Sequence, residues 1–83
     1  MKVTVKYFAS IREAIGSPAE ALDSSAPNLA ALRDELIARG GAHAESLARG
    51  RVVRMALNQV MSDEAAVLSD GAEVAFFPPV TGG

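Results

Sequence analysis

Asp70-Gly71-Ala72-Glu73-Val74-Ala75-Phe76-Phe77-Pro78-Pro79-Val80-Thr81-Gly82-Gly83 closes the chain, and its middle and its end obey different rules. Glu73 to Phe77 is a short apolar and aromatic run behind an Asp-Gly turn, which predicts a strand. Pro78 and Pro79 then remove two successive N–H donors and favour an extended polyproline conformation, so the strand has to stop there. Gly82 and Gly83 carry no side chains, which leaves a main-chain carboxylate at the tip of a thin thread suited to a narrow channel on a partner. The expected division is one domain over residues 1–77 and a flexible tail over residues 78–83. A frayed end without a role is the plain alternative, because chain termini are commonly disordered.

Working outward, Met1, Val3, Val5, Tyr7 and Ala9 alternate with Lys2, Thr4, Lys6 and Phe8, the period-two signature of a half-buried strand. Ser10 with Glu13 three residues on reads as a capping box, and Gly16 as the stop of a short helix. Ala19 to Asp23 is expected to return as a second strand, despite its poor β-propensity. Asn28 is the expected N-cap of a helix running to about Arg39, with Leu29, Leu32, Leu36 and Ile37 on one stripe and Gly40-Gly41 behind it. Ala42 to Arg49 is a weak helix or a loop with little to bury. Val52 to Leu57 reads as a strand, Asn58-Gln59 as a turn and Val60-Met61 as a short return strand. This order gives an α+β domain, a mixed sheet with its helices packed on one face.

Composition narrows the function. With 83 residues, about 60% of the unfolded surface is buried on folding, which suits a single small core. A formal charge of −2 argues against electrostatic capture of nucleic acid or of a membrane. The absence of cysteine excludes thiolate metal sites and a thiol nucleophile, and no secretory or membrane-spanning segment is apparent, so the cytoplasm is the expected location. His43 stands without ligand spacing and reads as a solvated histidine, and the adjacent pairs Asp34-Glu35 and Asp63-Glu64 read as solvated surface. No metal or cofactor is expected on this chain.

Tyr7-Phe8-Ala9, Ile11-Arg12-Glu13, Leu29 with Leu32, Asn58-Gln59 and the whole stretch from Asp70 to Gly83 carry a resemblance that spans nearly all of the sequence. The chain resembles the small, sulfur-carrying subunits of molybdopterin synthase, the MoaD family of ubiquitin-like β-grasp proteins. The resemblance implies that Gly83 is adenylated by an ATP-dependent enzyme similar to ubiquitin-activating enzymes, then converted to a thiocarboxylate, with Gly82 keeping the tail slim. It further implies a sulfur donor protein, and a large synthase subunit that takes up the tail within a heterotetramer. There the sulfur passes to cyclic pyranopterin monophosphate to build the molybdopterin dithiolene. The pterin site and catalytic side chains are then the partner's, so this chain is a sulfur donor rather than a catalyst.

Strand parity places Phe8 and Phe77 on the face opposite Val3, Val5, Val74 and Phe76. Met61, at a position the family uses for partner contact, completes an expected docking cluster with them, and Pro78, Pro79, Val80 and Thr81 extend the contact along the tail. Arg12 is expected to pair with acidic groups on a partner. Core packing is the alternative for the apolar three, and a solvated helix charge for Arg12. A thiamine-pathway sulfur carrier and a ubiquitin-like protein modifier share the fold and the diglycine end, and an interaction module whose tail is never activated is a further alternative.

Overall fold

Alternation at the N-terminus builds the centre of a sheet. In the computed structural model, which describes residues 1–79, strand β1 (Lys2–Tyr7) buries Val3, Val5 and Tyr7 to 1% exposure or less. On one side it pairs antiparallel with β2 (Ala19–Asp23), and on the other parallel with β5 (Ala72–Phe77), Val5 lying against Val74 and Tyr7 against Phe76. The sheet continues through β3 (Arg54–Leu57) to β4 (Val60–Ser62), in the order β2-β1-β5-β3-β4. A central parallel pair made from the first and last strands, with the helices between them in sequence, is the β-grasp arrangement. Parallel neighbours need a long crossover, and residues between β1 and β5 supply it.

Helix α2 (Leu29–Ile37) covers the inner face. Asn28 caps it, its side chain accepting from the Ala31 N–H at 2.9 Å, and Leu29, Leu32 and Leu36 are fully buried. Each such leucine contributes about 2 kcal/mol of burial free energy. Helices α1 (Ala9–Ile15) and α3 (Gly41–Leu47) close the core beside it with Ile11 and Leu47.

Four local expectations need correction. Ser10 does not cap α1: the helix starts two residues earlier than that cap implies, behind Phe8, which makes no side-chain cap, and the Phe8 carbonyl accepts from the N–H groups of Ile11 and Arg12. The cause is the end of the sheet, because the Phe8 N–H is still held by the Phe76 carbonyl at 3.1 Å and the chain must turn at once, with Ala9 at φ 51°. Helix α2 stops at Ile37, short of Arg39. The weak segment is a true helix, α3, and it buries Leu47 and Ser46, so it does have a side chain to bury. Strand β3 begins at Arg54, not Val52; β5 ends on Phe77 opposite Arg54, and the two prolines beyond offer no N–H donors to extend the ladder.

Candidate functional site

Cross-strand register sorts the sheet into two faces. Met55 and Leu57 stand with Phe76, Val74, Tyr7 and Val5 under the helices, whereas Arg54 stands with Phe77, and Ala56 with Ala75, Lys6 and Met61, on the face the helices leave open. Phe8 follows β1 on that open side, 44% exposed, and its ring meets the half-buried Phe77 ring edge to face at 6.2 Å between centroids. Met61 is 54% exposed on the same face, on β4 and so two strands away from β5. The structure thus brings Phe8 and Phe77 into contact and sets Met61 apart, at the edge of the same surface. Lys6 and Glu73 form an ion pair at 3.2 Å on this face.

Pro78 and Pro79 leave the sheet at the Phe77 end, both half-buried, and line one wall of a cleft of about 480 Å³. Ile11 and Ala14 of α1, with Arg51, Val52 and Val53 ahead of β3, line the rest of its apolar and basic surface. Arg12 is exposed in the last turn of α1 and has no ion pair among the described residues. The expected positions Val80, Thr81, Gly82 and Gly83 lie outside the described residues.

Two polar constructions escape the sequence. Arg33 is 5% exposed, donating from Nε to the Leu47 carbonyl at 2.7 Å and from Nη2 to the Ala48 and Arg51 carbonyls at 2.8 and 3.1 Å. It also pairs with Glu64 at 3.3 Å, so one α2 side chain fixes the segment that forms the wall of the cleft. The available signal was its spacing, four residues after Leu29 and three before Leu36 on the buried stripe.

The second construction surrounds Glu20 on β2. Its carboxylate accepts from the Tyr7 hydroxyl at 2.9 Å and from Arg39 at 2.6 Å, with His43 Nε2 at 3.4 Å. His43 is therefore not solvated as expected: it is half-buried and packs edge-on against the Tyr7 ring at 5.8 Å. Burial pushes the Glu20 carboxyl up, but hydrogen bonds from Arg39, Tyr7 and His43 outweigh it and hold the group below its ordinary range. Burial, reinforced by the Glu20 bond, pushes the Tyr7 hydroxyl well above its ordinary value. These groups satisfy one another, and no set of three His, Cys, Asp or Glu side chains suited to a metal occurs among the described residues. No helix among them is long and apolar enough to cross a membrane.

Comparison with known proteins adds four findings. Residues 5–83 match the ThiS family. The chain is 40% identical over 81 residues to the molybdopterin synthase sulfur carrier subunit of Escherichia coli (strain K12), which spans 98% of this chain and 99% of that protein. Among solved structures, it superposes with a TM-score of 0.71 on a chain in the complex of subunits 1 and 2 of the molybdopterin-converting factor from Helicobacter pylori 26695, at 28% identity and with 100% of both chains covered. SAMP1 from Haloferax volcanii shares the fold as well, with a TM-score of 0.77 at 25% identity and 100% of both chains covered.

Proposed function

Because the chain belongs to the ThiS family, we propose that it is the sulfur-carrier subunit of a molybdopterin synthase, with its C-terminal Gly83 as the group that carries the sulfur. The observation that carries this reading is the course of β5. The strand ends at Phe77, whose ring meets that of Phe8, and Pro78-Pro79 follow at once, so the proposed docking pair and the root of the tail lie at the same end of the sheet. Four residues, Val80 to Gly83, follow Pro79, and four extended residues reach at most about 14 Å. A partner therefore has to seat closely on the domain to receive Gly83.

The chemistry uses the main chain. In the activating enzyme the Gly83 carboxylate attacks the α-phosphorus of ATP, pyrophosphate leaves, and an acyl-adenylate forms. A persulfide on a donor protein then displaces AMP to give an acyl disulfide, and a second thiol attacks the donor sulfur, releasing the thiocarboxylate and leaving the donor as a disulfide with that thiol. The large synthase subunit takes up the tail, and the sulfur passes to cyclic pyranopterin monophosphate within a heterotetramer of two small and two large chains. ATP is a reactant of the activating enzyme and not a ligand of this domain. Phe8, Phe77 and Met61 supply apolar contact, Arg12 a charge at its margin, and Pro78, Pro79, Val80 and Thr81 the stem that enters the partner.

Reconstitution with the large subunit, the activating enzyme, ATP and a sulfur source tests the proposal. Molybdopterin is expected to form with the full chain and to be lost on deletion of Gly83. Formation at an undiminished rate without Gly83 contradicts the proposal. Transfer only to a thiazole synthase supports a thiamine-pathway carrier, and Gly83-dependent conjugates of higher mass support a protein modifier.

A further inference from the structure

Five of the eight lysine and arginine side chains have an acidic partner: Lys2 with Asp23, Lys6 with Glu73, Arg33 with Glu64, Arg39 with Glu20, and Arg49 with Asp34 and Glu64. The remaining three, Arg12, Arg51 and Arg54, have no ion pair among the described residues; Arg51 and Arg54 border the root of the tail, and Arg12 lies to one side, against the Gly16-Ser17-Pro18 turn before β2. Arg54 is exposed on the open face as the cross-strand partner of Phe77. Arg51 is exposed on the helix side, in the wall of the cleft lined by Pro78 and Pro79. Arg12 lies one turn along α1 from Phe8. Glu45 is the one carboxylate among the residues lining that cleft.

We propose that Arg54 and Arg51, flanked by Arg12, form a basic collar around the root of the tail that is met by carboxylates on the large synthase subunit. The inference rests on the proposed function and goes beyond it by naming the chemistry of the facing surface. The chain carries a formal charge of −2, yet its unpaired cations gather at one end, so an acidic partner surface orients it with that end forward. Arg54 and Arg51 stand on opposite sides of the chain leaving β5. One partner contacts both only by enclosing the tail root, which a channel that receives the tail does. Arg54 also shares its row with Phe77, so a pocket for that aromatic pair places partner atoms beside the guanidinium.

Association of the full chain with its large subunit, followed by stopped-flow or biosensor measurement at 50 and 500 mM salt, tests the proposal. Charge reversal by Arg54→Glu, and separately by Arg51→Glu, is expected to slow association about tenfold at low salt, and the double variant is expected to lose most of the salt dependence of the wild type. Both side chains are exposed, and an unchanged thermal melt confirms that the variants fold. Wild-type association rates and salt dependence in both variants overturn the collar. So does a deficit confined to reaction with the activating enzyme, which assigns the arginines to that partner. If the wild-type chain does not bind the large subunit at all, the proposed function fails, and the collar falls with it.

Discussion

Arg33 spends its guanidinium on main-chain carbonyls of three residues, Leu47, Ala48 and Arg51, in a site that excludes water. Removing it takes the side-chain donor from the Leu47 and Arg51 carbonyls, while Glu64 keeps Arg49 and the Ala48 carbonyl keeps the Arg51 N–H, and Arg33→Ala is expected to cost about 3 kcal/mol in urea unfolding. Glu20 and Tyr7 give the fold a pH dependence. A carboxyl held below its unfolded value contributes stability that is complete above about 4.5 and disappears as pH falls through the folded value, so Glu20→Gln should flatten the acid limb of a stability–pH curve. Tyr7 has the opposite sign. Its raised folded value contributes stability that is complete below 10.0 and is lost as the solution becomes more alkaline, and Tyr7→Phe should remove that alkaline decline. The Glu20 cluster was not legible in the sequence, because Tyr7, Glu20, Arg39 and His43 come from separate elements whose meeting depends on the sheet register.

Among the elements, β1 and α2 followed from pattern because alternation and a leucine stripe each match one burial geometry. Asn28 was legible as a cap for the same local reason, and Asn28→Ala is expected to cost about 1 kcal/mol. The β3–β4 turn places Asn58 and Gln59 at φ 50° and 69°, a left-handed pair that suits glycine at the second position. Gln59→Gly should therefore raise the melting temperature by a few degrees, about 4 °C for a gain near 1 kcal/mol in a domain of this length. Tertiary constraints decided the elements that pattern misread. Helix α3 exists because Leu47 fills the core and Arg33 holds the carbonyl ends behind it, neither of which its alanine-rich sequence announces. Strand β3 is shortened by the prolines that follow β5.

Across the whole molecule, one end of the sheet gathers an aromatic pair of which Phe8 is exposed and Phe77 half-buried, a stiff exit and unpaired arginines. Parity alone made the side of Phe8 and Phe77 legible. The arginine positions required the register of β3 and the path of the loop before it, and the distance of Met61 from the pair required the strand order. Phe8→Asp places a charge in the expected contact while leaving the core untouched, and should weaken binding to the large subunit by about 2 kcal/mol with little change in melting temperature. Intact mass spectrometry reads the chemistry of the chain end directly. After incubation with ATP, the activating enzyme and a sulfur source, the full chain is expected to gain the mass difference between one sulfur and one oxygen, and the chain lacking Gly83 is expected to gain nothing. An unchanged mass of the full chain, with an enzyme that converts another carrier in the same mixture, would contradict the account.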